Sequence, residues 1–224
     1  AVGAIAVALL CGARHEEIRL GMSTFRGTKR RFETHYHNAK DGRETRYIDD
    51  YAHHPAEIKA TLDSVRFLYP DLKICAVFQP HLYTRTRDLA ADFAEALSIV
   101  DDVVLLDIYP AREKPISGVT SSIILDKVTS KKKVAVSKTE LIGELEKHDF
   151  DILLTLGAGD IDLEIPKIVE FMHKFLSDYA TNSMVASMVN SVMSVVIVSF
   201  SVSFITFFFL KEDGLFSKMV SALF

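Results

Sequence analysis

The hydrophobic and polar positions of this chain follow two periods in turn. After Pro55, apolar residues recur at Ile58, Leu62, Val65 and Leu68, which predicts an amphipathic helix from Pro55 to Tyr69 with proline in its first turn. Lys73 to Gln79, Val103 to Tyr109, Val134 to Val136 and Asp151 to Leu156 are short apolar runs of the kind that strands buried on both faces display. Between and after them, Leu89 to Val100, Thr120 to Val128 (capped by Thr120), Lys138 to His148 and a closing stretch from Asp160 to Met172 read as helices. Ahead of them, Arg31 to His37 and Glu44 to Asp49 alternate apolar and polar residues around Asn38 to Gly42, which predicts a hairpin closed by an Asp-Gly turn. Ala1 to Leu20 is rich in Ala and Leu before turning charged, and is expected to form one helix packed on something to its N-terminal side. Strands alternating with helices make this an α/β domain: a mostly parallel sheet with helices on both faces, opened by an antiparallel hairpin.

The C-terminal tail breaks this alternation. No charged residue occurs from Tyr179 to Leu210, and Val189 to Leu210 is apolar apart from Ser, Thr and Asn. Roughly 20 such residues suffice to span a hydrocarbon core, so the tail (179–224) is read as a hydrophobic helix with a transmembrane segment at about 189–210. A fusion, a gene-model artefact or a buried hydrophobic hairpin are the alternatives. The flanking charges, Lys174 and Asp178 before and Lys211, Glu212, Asp213 and Lys218 after, set no orientation.

Composition adds limits. At 224 residues, 49% hydrophobic and 25% charged, the chain can bury one good core with appendages. A formal net charge of -4 argues against a nucleic-acid partner, and Lys131 to Lys133 is expected to be a solvated turn. The two cysteines, Cys11 and Cys75, both lie in apolar runs and read as small core residues of a reducing compartment.

Candidate chemistry gathers where strands should end. Tyr47-Ile48-Asp49-Asp50-Tyr51-Ala52-His53-His54-Pro55 ends an apolar run in two carboxylates, an aromatic ring and two imidazoles. In an open α/β sheet, ligands bind at the carboxyl ends of strands. His81-Leu82-Tyr83-Thr84-Arg85-Thr86-Arg87 follows another strand. An imidazole and a guanidinium together suit a small carboxylate, and cations at a helix N-terminus are disfavoured unless an anion is present. Arg30 and Arg31 enter the hairpin, and a guanidinium fork suits phosphate oxygens, with a surface Arg pair as the alternative. Gly157-Ala158-Gly159-Asp160 permits either close approach to a ligand or a tight turn. His35 and His37 share a strand face, where an exposed edge strand is the main reading and a metal site the minor one.

Asp49 to Pro55 resembles the Asp-Asp-Tyr-Gly/Ala-His-His-Pro signature of the Mur ligases, the ATP-dependent amide ligases of bacterial cell-wall precursor synthesis. Three further stretches agree in order: Phe25 to Phe32, Phe78 to Thr86 and Gly157 to Ile161. The resemblance covers about Ala1 to Ser177 and points to the branch that joins L-alanine to UDP-N-acetylmuramate through an acyl phosphate. It implies a Rossmann-like C-terminal domain at 22–178, preceded at 1–21 by the last helix of a central ATPase domain, and a cytoplasmic setting unless the tail anchors the chain to a membrane. It implies catalytic roles for Arg31 and His54, ATP contacts from Arg30, Arg31 and Asp50 (the last to the ribose hydroxyls), and L-alanine contacts from Tyr51, His81 and Arg85. Glu113, Gly157, Gly159 and Asp160 would lie in site-lining loops. Mg²⁺ would be held mainly by the central domain, with no metal ligand here. The Walker A loop is absent, so the chain alone is expected not to turn over. The alternatives are the related peptide-recycling ligase, which lacks the Pro-His-x-Tyr-Thr-Arg loop, and a non-catalytic, membrane-tethered binding module.

Overall fold

The computed structural model describes residues 2–25, 27–39, 43–211 and 221. The chain divides into two compact units, 1–172 and 173–224. In the first, six strands form one sheet: β1 (Glu33–Asn38), β2 (Thr45–Asp50), β3 (Ile74–Phe78), β4 (Asp102–Leu106), β5 (Lys132–Val136) and β6 (Ile152–Leu156), in spatial order β1-β2-β6-β3-β4-β5. β1 is antiparallel to β2, and every other pairing is parallel. The α/β reading therefore holds, hairpin included. Every residue of β3, β4 and β6 is buried, as uninterrupted apolar strands require when helices cover both faces.

The helix α3 (Pro55–Leu68) turns Ile58, Leu62 and Val65 inward until each is fully buried. Each such side chain contributes about 1.5–3 kcal/mol of hydrophobic stabilisation. It packs beside α5 (Ala90–Leu97), whose Phe93 and Leu97 are equally buried and whose Phe93 ring lies 5.2 Å from that of Phe78. With β6 paired between β2 and β3, this core sets where their carboxyl ends emerge.

Several boundaries depart from the sequence-based expectation. The first helix is two, α1 (Val2–Leu10) and α2 (His15–Thr24), broken at Gly12, whose φ of 83° suits glycine; Cys11 at this break is exposed rather than core, whereas Cys75 is buried. Lys132 and Lys133 open strand β5 instead of lying in a turn. The helix expected from Thr120 shrinks to α6 (Ser122–Leu125), with Ser121 rather than Thr120 at its N-cap. That from Lys138 shrinks to α7 (Leu141–Leu145). Both segments are rich in serine, threonine or β-branched residues, or carry a glycine, all weak helix formers. The closing helix begins as a 3₁₀ turn, Asp160–Glu164, and continues as α8 (Ile165–Lys211). The Asp41-Gly42 turn lies outside the described residues.

The expected transmembrane segment finds no support in the described structure. Its helical character is present, but among the described residues no helix is long and apolar enough to cross a membrane. The side chains of 203–210, part of that segment, lie outside the described residues.

Candidate functional site

The parallel strands bring their carboxyl ends to one edge. In register, Asp50 lies beside Leu156 and Leu156 beside Phe78, so the loops after β2, β6 and β3 start side by side. β1 runs the other way, with Glu33 opposite Asp49, which brings Arg30 to Phe32 to the same edge. Among the described residues, four non-glycine residues have left-handed backbones: Arg30 (φ 54°), Phe32 (51°), Leu82 (73°) and Ala111 (51°). All four lie in loops at this edge. Each such conformation costs on the order of 1–3 kcal/mol and persists only where surrounding contacts enforce it, a pattern typical of functional sites.

Arg30 and Asp49 form the inner brace. Asp49 is fully buried and accepts from Arg30 Nε at 3.1 Å and from Thr155 Oγ1 at 2.6 Å. The Arg30 guanidinium also donates to the carbonyls of Gly157 (2.6 Å) and Gly159 (3.4 Å), tying the loop after β6 to the end of β2. Asp50 is likewise turned inward: its Oδ2 accepts from Phe32 N and its Oδ1 from Ala52 N, both at 2.8 Å. The nearby Tyr47 hydroxyl, 3.1 Å from Thr155 Oγ1, has its pKa driven up by burial.

Outside this brace runs an aromatic and cationic wall. The guanidinium carbons of Arg30 and Arg31 both lie 5.2 Å from the Tyr51 ring centroid, and Arg31 is exposed. Tyr51 meets His53 edge-on at 5.3 Å, His53 meets His81 at 6.0 Å, and His81 stacks on Tyr109 at 5.6 Å. The backbone holds the last pair: Tyr109 N donates to Pro80 O at 2.8 Å and Leu82 N to Tyr109 O at 2.9 Å. Glu113 accepts from Thr84 N (3.0 Å) and from the Thr84 hydroxyl, which fastens the loop after β4 to the start of α4 (Tyr83–Asp88).

Two polar atoms in this wall are buried without a partner: His81 Nδ1 and Arg85 Nη1. Desolvation, then the charges of Arg85 and His53, hold the His81 pKa below its ordinary value, against the pull of Glu113. His81 Nδ1 and Arg85 Nη1 are two buried nitrogens able to donate to an anion.

The loop after β6 closes the other side. Gly157 has φ 144°, and a Cβ there would stand 2.9 Å from Gln79 O; at Gly159 one would stand 2.5 Å from Gln79 Oε1 and 2.8 Å from Tyr109. Asp160 accepts from Gln79 Nε2 at 2.9 Å and pairs with Lys138 at 2.6 Å. Burial opposes its ionisation, yet the Lys138 and Gln79 bonds hold its carboxyl below the usual range.

The family model for "Mur ligase, glutamate ligase domain" matches residues 30–159, more than half of the chain. The chain belongs to the Mur ligase family. A UDP-N-acetylmuramate–L-alanine ligase of Phocaeicola vulgatus is 50% identical over 174 residues, 77% of this chain and 37% of that protein. One from Flavobacterium psychrophilum is 51% identical over 158 residues, 70% of this chain and 34% of that protein. The crystal structure of a UDP-N-acetylmuramate-alanine ligase from Thermotoga maritima aligns with a TM-score of 0.58 at 28% identity, covering 78% of this chain and 36% of that one. This Mur ligase chain thus spans little more than a third of the length of the curated relatives it matches.

Within this Mur ligase domain, the structure sets most of the sequence-predicted residues at one strand edge. Tyr51, His81, Arg85 and Arg31 line the outer wall. Arg30 and Asp50, expected to meet ATP, spend their polar atoms on backbone and Asp49. His54, expected to be catalytic, is exposed and caps α3, its Nδ1 accepting from Ala56 N at 3.4 Å. His53 takes its place in the wall. Pro55 at the first helical position could have signalled this, because the residue before it is the N-cap and its side chain is claimed by the helix. Gln79, Tyr109 and Lys138 were not foreseen; only the two-residue spacing of Gln79 and His81 hinted at a shared face. His35 and His37 do not form a pair. A bulge between Thr34 and Tyr36 leaves His35 5.5 Å from the Tyr47 ring while His37 is exposed, and among the described residues no cluster could hold a metal.

Proposed function

We propose that this chain is the amino-acid-receiving part of an ATP-dependent ligase that joins L-alanine to the lactyl carboxyl of UDP-N-acetylmuramate. The observation that carries this reading is the pair of unpartnered buried atoms, His81 Nδ1 and Arg85 Nη1, at the carboxyl end of β3. A substrate carboxylate would accept from both, and charge-assisted bonds of this kind are roughly twice as strong as neutral ones. The relatives are L-alanine ligases, and a small amino acid is the kind of substrate such a clamp would hold.

The remaining residues divide the work by geometry. Tyr51 and His53 border the clamp and limit the room beside it, which suits a methyl side chain. Arg31, exposed and stacked on Tyr51, is free to reach a phosphate from the rim, a role Arg30 cannot share while it braces Asp49. ATP would activate the carboxyl as an acyl phosphate, and the amine of the clamped amino acid then attacks it; positioning and charge stabilisation dominate such chemistry. Because the described residues offer no metal cage, Mg²⁺ would be held by the phosphates and by other parts of the ligase. In this assignment residues 1–21 belong to the neighbouring ATPase domain; α1 and α2 bury none of their residues.

The test is a titration of the isotope-labelled chain with L-alanine, followed by NMR. Saturable shifts at His81 and Arg85 that vanish in Arg85→Ala support the clamp. Identical titrations of the two proteins would dismiss it.

A further inference from the structure

A third buried polar atom at the same strand end is also unpartnered: Gln79 Oε1. It differs in kind from the other two. Arg85 Nη1 donates and His81 Nδ1 can donate, so an anion satisfies both, but a carbonyl oxygen accepts only, and no carboxylate can satisfy it. The amide orientation is fixed by its other end, because Nε2 donates to Asp160 Oδ1 at 2.9 Å while Lys138 holds Asp160 Oδ2 at 2.6 Å. Flipped, the amide would set oxygen against carboxylate.

Placement joins this oxygen to the clamp. Gln79 and His81 are two residues apart on an extended segment, and His81 is bridged to Tyr109 beside it. A Cβ on Gly159 would meet both Gln79 Oε1 and Tyr109, whose ring stacks on His81, so the oxygen and the imidazole share one wall. Any side chain at position 159 would collide with that oxygen, so only glycine lets Gln79 keep this orientation. The wall therefore offers two donors and, at the same strand end, one acceptor that lacks a donor.

Resting on the ligase reading above, we propose that Gln79 reads the amine of the substrate: its Oε1 accepts a hydrogen bond from the α-amino group while His81 and Arg85 hold the α-carboxylate. The pattern of two donors and one acceptor is that of a free α-amino acid. A neutral amide has a further merit over a carboxylate, since it orients the nitrogen without strongly favouring the ammonium form, which must lose a proton before it can attack.

The experiment compares L-alanine with propionate, which keeps the carboxylate and replaces the amino group by hydrogen. Both are titrated by NMR into the full chain and into Gln79→Met, which keeps an unbranched side chain of similar length. The wild-type chain is expected to bind L-alanine about tenfold or more tightly than propionate, with the Gln79 side-chain amide signals moving only for L-alanine. In Gln79→Met, propionate affinity should stay as it was and the advantage of L-alanine should disappear. A retained advantage overturns the proposal, as do Gln79 amide signals that respond alike to both ligands; the latter needs no variant. Equal binding of both ligands by the wild type would leave the clamp standing and remove the amine reader, whereas binding of neither would remove both.

Discussion

Replacing Arg30 by Met tests whether this arginine is a brace. Asp49 is fully buried, and the Arg30 side chain is only 16% exposed. The substitution keeps much of the aliphatic stem but strips Asp49 Oδ2 of its partner and the Gly157 and Gly159 carbonyls of theirs. Removing one member of a buried ion pair typically costs about 3–5 kcal/mol, since the remaining charge is left uncompensated. Thr155 still donates to Asp49 Oδ1, so the lower end, about 3 kcal/mol, is expected. Asp49→Asn in the same background should recover about 1–2 kcal/mol, because it removes the stranded charge. Urea unfolding of the four proteins by far-UV circular dichroism gives the double-mutant cycle, with an unchanged slope showing that the folded and unfolded states are comparable. If Arg30→Met falls within about 0.5 kcal/mol of the wild type, or the two substitutions simply add, the brace is wrong and Arg30 is available to a ligand.

Other outcomes follow from the same geometry. Because His81 is held below its ordinary pKa and a bound carboxylate favours its charged form, ligand binding takes up a proton: L-alanine affinity should rise as the pH falls below the ordinary histidine range, and this dependence should vanish in His81→Gln, as read by NMR titration. Without ligand the sign reverses for folding: the depressed pKa makes the unfolded chain bind the extra proton first, so this group's contribution to stability is lost as the pH falls through that range. Gly159→Ala would place a Cβ 2.5 Å from Gln79 Oε1 and should cost about 1–3 kcal/mol in urea unfolding and abolish L-alanine binding. Gly143→Ala, on α7 with nothing within 4 Å, should gain up to about 1 kcal/mol. Asp50→Asn loses one of two acceptors to backbone amides and should destabilise the chain by about 1–3 kcal/mol in the same assay.

The strands were legible because burial on both faces favours short, mostly apolar runs, and β3, β4 and β6 have them. Helix lengths were less so. Gly12 splits one predicted helix through a backbone angle that periodicity does not report, and α6 and α7 stop early where propensity is weak. Arg85 and His81 stood out in the sequence because a guanidinium and an imidazole follow one another where a strand gives way to a helix, a pair that suits a carboxylate. The hydrogen bonds of Arg30 and Asp50 were hidden in the sequence, since the partners of Arg30 lie far along the chain at Gly157 and Gly159 and the Phe32 amide that Asp50 accepts from lies across the hairpin. His53 and His54 differ only in which one the helix claims as its cap. Gln79 was hidden for a related reason: its exposed-looking polarity is used half for Asp160, and the unused half emerges only once Gly159 and Tyr109 are in place.

The central claim is that this chain supplies the amino-acid clamp of a ligase, and a chimera tests it most directly. With this chain in place of the matched 174 residues of the Phocaeicola vulgatus relative, the hybrid is supplied with ATP, Mg²⁺, UDP-N-acetylmuramate and L-alanine, and phosphate release and the coupled product are measured. We expect L-alanine-dependent ligation, with Arg85→Ala raising the KM for L-alanine far more than that for ATP. A folded hybrid that does not ligate L-alanine, or an Arg85→Ala variant with unchanged alanine kinetics, would contradict the claim.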